Sequence, residues 1–209
     1  RQIFNPGQRD LTWRRSLGIE DDESVIGFIG RLVMEKGLDV FSDTIDQLSL
    51  RHVRHKVMIV GEGPAREWFQ NRLPNAIFTG FQKGADLGRA VASMDMLFNP
   101  SITETFGNVT LEAMACALPT VAARATGSES LVTEGVTGRL IRPGAIGAFA
   151  DALAAYCTNP HARADAGAAA RAEAERYGWD QVNQALVDTY IRVIRQRSQG
   201  ALLRSSPVP

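Results

Sequence analysis

The chain has 209 residues, 44% of them hydrophobic, which is enough for one large or two small packed domains. Lysine plus arginine and aspartate plus glutamate both number 23, so no net field draws the protein to nucleic acid or to an anionic membrane surface, and an anionic ligand has to be met by local groups. No apolar run approaches the roughly 20 residues of a membrane span and the first residues lack a signal-peptide pattern, so the expected location is the cytoplasm.

The opening RQIFNPGQRD is polar and turn-rich. Residues 1–23 therefore read as an interdomain linker, cut from something longer, with a short leading helix. From Ser24 onward, short apolar runs alternate with amphipathic segments: SVIGFIG then LDVFSDTIDQL, KVMIV then a helix from Pro64 to Arg72, AIFTG then LGRAVASM. MLFNP, the helix NVTLEAMACA, PTVAA, a short helix near SESLV and GRLIRP continue the series. This alternation predicts an α/β fold, a Rossmann-like doubly wound parallel sheet of about six strands with helices on both faces. Helices over Ile146–Cys157, His161–Tyr177 and Trp179–Arg197 follow. The domain is expected to span 24–197, with 198–209 as a disordered tail. In such sheets ligands bind beyond the carboxyl ends of the strands, where GRLVMEKG, VGEGP, TGFQKG and NPSITETFGN would gather.

The cysteines, Cys116 and Cys157, fall in helical stretches without metal-ligand spacing and are expected as small buried side chains in a reducing compartment. His52 and His55, beside Arg51, Arg54 and Lys56, read as a solvated basic turn, and no metal site is assigned.

The strongest chemical signal is SITETFGNVTLEAMACALPT, where Glu104 and Glu112 stand eight residues apart across a loop-to-helix junction. Gly107 and Asn108 are poor interior helix residues, so the helix should begin near residue 107. Glu104 then lies in the loop and Glu112 on the second turn. Free amides from Gly107 to Thr110 and the positive dipole end make an anion site between them. Helical side chains lean toward the N-terminus, so Glu112 can reach back to a neutral diol. Acidic residues that merely complement the dipole would look the same. In GFIGRLVMEKG, Arg31 and Lys36 flank a strand ending in Gly30 and can supply charge-assisted bonds to a diphosphate. VGEGPAR lacks the Lys and Ser/Thr of a Walker loop and reads as a tight strand-to-helix turn with Pro64 at the first helical position. Its Gly61 could equally let the backbone approach a base or ribose, and Lys83 is similarly ambiguous.

GRLVMEKG, VGEGP, the TGF turn, TETFGNVTLEAMA with its E-x7-E spacing, and GVTGRLIRPG, in that order, resemble the C-terminal domain of family-4 (group 1) retaining glycosyltransferases of the GT-B fold. The resemblance covers roughly residues 1–195, and the TETFGN wording is most similar to lipid and mannosyl transferases. It implies that Arg31 and Lys36 grip the diphosphate of a UDP- or GDP-sugar such as GDP-mannose. Glu104 would lie by the donor sugar, Glu112 would bind ribose, and Phe106, Gly107, Asn108, Val109 and Thr110 would offer backbone contacts. Glu104, Arg31 and Lys36 are thereby the implied catalytic set, with Gly30 and Gly61 as further donor contacts. Two positions depart from the family: Thr126, Gly127 and Ser128 stand where Gly-Gly-Pro is common, and Cys116 and Ala117 where a small residue and Gly are common.

The implied reaction transfers a hexose with retention and needs neither a cofactor nor a metal. The acceptor site belongs to an N-terminal domain this chain lacks. The isolated domain is therefore expected to be inactive, to self-associate through the apolar face of its closing helix, and to meet the inner face of a membrane only through that absent domain. A nucleotide-sugar-binding module without transferase activity, or a GT-B-type UDP-sugar epimerase, remains as the alternative.

Overall fold

The computed structural model describes residues 3–178 and, beyond them, 184, 187–192 and 194. Six strands form one parallel sheet: β1 (Val25–Ile29), β2 (Lys56–Val60), β3 (Ile77–Gly80), β4 (Met96–Asn99), β5 (Thr120–Ala123) and β6 (Gly138–Ile141), in the spatial order β3-β2-β1-β4-β5-β6. This is the doubly wound sheet expected from the sequence. The strands are apolar at nearly every position, so neither face can be left to water. Alternate residues feed separate cores: Ile26, Phe28, Val57, Ile59, Met96 and Phe98 enter one, and Val25, Met58, Val60 and Leu97 enter the other.

Helices α2 (Leu38–Leu50), α3 (Arg66–Arg72) and α7 (Ile146–Thr158) supply the first core, where Phe28, Phe41, Phe98 and Phe149 form a run of ring contacts. The second is supplied by α1 (Leu11–Ser16), α4 (Gly84–Ala92) and α5 (Asn108–Ala115). The short α6 (Thr126–Glu129) follows β5, and α8 (Pro160–Ala174) packs on α5 and α7. Some boundaries differ from expectation: the helix expected to run to Tyr177 ends at Ala174, with Glu175–Tyr177 a 3-10 turn, and α3 starts at Arg66, not at Pro64. The Ala65 amide is taken by Leu32 O and the Arg66 amide by Gly63 O, so the chain completes a turn against the β1 loop before the helix begins.

The opening segment is fastened to the sheet by charge. Arg14 is fully buried and donates to Ser93 O (2.6 Å), Glu23 O (2.7 Å) and Asp95 Oδ2 (3.0 Å). Arg9 donates to Met94 O (2.7 Å) and Asp95 Oδ1 (2.8 Å), and Asp95 Oδ2 also accepts the Val25 amide (2.8 Å). One carboxylate therefore joins α1, the segment after α4 and the first residue of β1. The two arginines also give the carbonyls at the end of α4 the positive partners a helix C-terminus favours.

The end of α5 accounts for one departure from the family pattern. Ala117 N donates to Met114 O and Leu118 N to Ala113 O, the paired bonds of a Schellman stop, with Ala117 left-handed at φ 60. An alanine there costs about 1–2 kcal/mol of backbone strain, partly offset by the lower freedom of its unfolded chain. Ala117→Gly is accordingly expected to raise stability by up to about 1 kcal/mol in urea unfolding; a loss would show that the methyl group contributes packing worth more than the strain.

Two compact units are present, Arg1–Ala174 and Glu175–Pro209. Of the closing helix expected over Trp179–Arg197, only residues 184, 187–192 and 194 are described, and Val187, Tyr190, Ile191 and Ile194 are exposed. The tail at 198–209 lies outside the described residues. Among the described residues no helix is long and apolar enough to cross a membrane.

Candidate functional site

The strand order reverses direction between β1 and β4. The chain leaves β1 toward β2 through α2 on one face and leaves β4 toward β5 through α5 on the other, so the two loops part and open a crevice beyond the strand ends. Arg31, Lys36 and Glu104 lie on these two loops, and Glu112 lies on α5.

The loops are built to touch. The β1 loop ends in a 3-10 turn, Met34–Lys36, followed by Gly37 at φ 72, where a Cβ would stand 3.1 Å from Pro100 O. Thr103 Oγ1 donates to Glu35 O at 3.4 Å, and Lys36 Nζ donates to Glu104 Oε1 at 2.6 Å. This ion pair is part-buried and joins the two loops directly. Arg31, by contrast, is exposed and has no carboxylate partner among the described residues. Of the two expected cations, one is free to meet a ligand and the other is already held by the Glu104 carboxylate.

The start of α5 supplies the third component. Gly107 is its N-cap at φ 88 and ψ 47, and no side chain caps the helix, so the amides of Asn108, Val109 and Thr110 stay open toward the crevice. The Thr110 side chain is buried and its Oγ1 accepts from Asn99 Nδ2 at 3.4 Å, so only its amide faces outward. Val109 is half-buried against the second core, Asn108 is exposed, and Phe106 is partly exposed at the rim. Asn99 also accepts the Ser101 amide at 3.2 Å, tying the end of β4 to its own loop and to α5. Sequence reasoning missed Asn99; the available signal was a buried amide ending the otherwise apolar run MLFN.

Glu112 stands on the second turn of α5 as expected, and burial pushes its carboxyl up to about 7. No hydrogen bond from a described residue reaches its carboxylate oxygens. Hydroxyl donors favour the ionised form, so a diol bound there would lower this pKa and its binding would release a proton. Affinity for a ligand held through a diol there should therefore rise from pH 6 to pH 8 and level off above the ligand-free value, whereas Glu112→Gln should titrate flat and bind better than Glu112→Ala. A pH profile shared by wild type and Glu112→Gln would remove the carboxylate from the ligand contact.

Gly61 and Gly63 have an internal reason to be glycine, whereas at Gly30 the reason is its backbone, at φ 149. A Cβ on Gly61 would come within 1.9 Å of Gly30 O, and one on Gly63 within 2.3 Å of Leu32 O. The VGEGP turn thus locks the β2 loop onto the β1 loop. Lys83 is exposed at the start of α4, beyond β3 and two strands away from β1.

Among the described residues no group of three or more His, Cys, Asp or Glu side chains could hold a metal. His55 Nδ1 lies 2.7 Å from Val53 O, and burial lowers the pKa of that ring. Burial pushes the thiols of Cys116 and Cys157 up to about 12, so both stay inert. The crevice offers two cations and three open amides to an anion, with carboxylates on either side for neutral hydroxyls.

A family model described as glycosyl transferases group 1 matches residues 23–159. A GDP-mannose-dependent alpha-mannosyltransferase of Mycolicibacterium smegmatis is 36% identical over 198 residues, covering 93% of this chain and 50% of that protein. A D-inositol 3-phosphate glycosyltransferase of Kribbella flavida is 32% identical over 205 residues, 90% of this chain and 48% of that one. In the crystal structure of Anabaena Alr3699/HepE in complex with UDP, the match has a TM-score of 0.77 at 26% identity, over 90% of this chain and 56% of that one. The chain spans about a third to a half of the curated relatives it matches.

Proposed function

Because this chain belongs to the group 1 glycosyl transferases, we propose that it holds the activated donor, a UDP- or GDP-hexose, for transfer to an acceptor with retention of configuration. The observation that carries the reading is the Lys36–Glu104 pair at the mouth of an uncapped α5, where cations, amides and carboxylates converge on one crevice. Arg31, Lys36 and the amides of Asn108, Val109 and Thr110 take the diphosphate. Glu104 faces the sugar and Glu112 the ribose. Names among the relatives point to GDP-mannose and structures among them to UDP, which keeps both nucleotides in the reading.

In the transfer, the bond from the anomeric carbon to the diphosphate oxygen breaks and the acceptor oxygen bonds to that carbon on the same face. The departing diphosphate accepts the acceptor's proton. No protein nucleophile enters. Charge grows on the diphosphate as it leaves, so groups already aimed at it stabilise the transition state more than the ground state. The cations and the helix dipole fill the role a metal would otherwise have.

The acceptor contacts belong to the remainder of a longer protein. Holding donor and acceptor at near-attack distance supplies about 7 to 11 kcal/mol, which one half of a cleft cannot provide. Residues 1–209 are therefore expected to bind a donor weakly in calorimetric titration against UDP-, GDP- and ADP-sugars, with one nucleotide preferred, and to transfer no sugar. Robust transfer by this chain alone would overturn the half-site reading, and product analysis on a longer protein would expose epimerase chemistry.

A further inference from the structure

The loop that carries Glu104 rests on the segment joining β5 to α6. Gly127 N donates to Glu104 O at 3.1 Å. The bare Cα of Gly127 faces that same residue: a Cβ would stand 2.7 Å from Glu104 O, 2.9 Å from its Cβ and 3.0 Å from its C. At the other end of the loop, a Cβ on Gly107 would lie 3.4 Å from Gly127 O, an ordinary contact. Ser130 Oγ donates to that Gly127 carbonyl at 2.8 Å. Residues 104–107 thus curve around Gly127, held tightly at Glu104 and loosely at Gly107. The neighbouring Ser128 is fully buried, and Leu131 and Val132 both bond back to its carbonyl, so the support is itself fixed.

Resting on the donor reading above, we propose that Gly127 is a positioning residue: by coming closer to Glu104 than any side chain could, it sets where that carboxylate meets the donor sugar. Gly127 touches no ligand itself. Any Cβ there pushes back the Glu104 backbone, while the α5 amides and Arg31, which do not depend on this contact, stay in place. The loss falls on the sugar and spares the nucleotide.

The test measures, on the 209-residue chain, the affinities of UDP-glucose and GDP-mannose, each against bare UDP or GDP. The ratio within the tighter pair reports the sugar contact. Gly127→Ala should reduce the sugar-dependent ratio about fivefold or more, to that of Glu104→Ala, and change bare-nucleotide affinity by less than about twofold. In the Glu104→Ala background, Gly127→Ala should add nothing further. If Gly127→Ala does not fold, Ser130→Ala, which frees the Gly127 carbonyl from an exposed position, should lower the same ratio about twofold. A ratio unchanged in both variants overturns the positioning role, as does an equal loss for sugar nucleotide and bare nucleotide. A wild type that binds none of the four ligands overturns the donor reading and this role with it.

Discussion

Asp95→Ala is expected to destabilise the protein by about 3–5 kcal/mol, because it removes one partner of a buried ion pair and leaves the other charged. Arg14 has no access to water, and among the described residues Asp95 is the one carboxylate paired with it. The same substitution strips Arg9 of its carboxylate and the Val25 amide of its acceptor. Asp95→Asn keeps one oxygen and should cost less. The measurement is urea unfolding at fixed pH, with an unchanged m-value as the sign that the native fold persists. A loss below about 1 kcal/mol would mean that Ser93 O and Glu23 O suffice for Arg14.

Lys36→Ala is expected to weaken nucleoside diphosphate binding by about 1–3 kcal/mol, and more than Arg31→Ala does, while leaving nucleoside binding nearly unchanged. Both substitutions delete a charge-assisted bond. Lys36→Ala also leaves the part-buried Glu104 carboxylate unpaired beside the phosphates, adding like-charge repulsion. Lys36→Ala combined with Glu104→Gln should therefore recover part of the loss, and Glu104→Gln alone should bind bare nucleotide no worse than wild type. Calorimetry on the four proteins completes a double-mutant cycle. Additive effects, or equal losses for nucleoside and diphosphate, would place the phosphate elsewhere.

The sheet was legible in the sequence because parallel strands are buried on both faces, so SVIGFIG, KVMIV and MLFNP stand out as apolar runs whatever their neighbours. Glu104, Glu112 and the helix start between them were legible for a local reason: spacing along one loop and one helix fixes their relation. The Lys36–Glu104 pair was not, since its partners are 68 residues apart and meet only through strand order. For the same reason nothing in RQIFNPGQRDLTWRRS announced that Arg9 and Arg14 would converge on Asp95. The glycines of VGEGP were read correctly as a turn, but the choice between ligand approach and internal packing depended on Gly30 O and Leu32 O, which no local pattern reveals.

The central position of β1 also bears on how the molecule assembles. Its pairing with β2 joins Val25 to Lys56, whereas its pairing with β4 has to bring Ile26 to Met96. Closing a longer loop costs more entropy before any contact returns it, so the β3-β2-β1 half can zip up while β4 is still unattached. Until then one edge of β1 is an open template for another chain. The crevice between the β1 and β4 loops exists only once that long closure is made. A donor bound there would hold the two halves together and slow unfolding, while leaving the early zippering of the first three strands at its own pace.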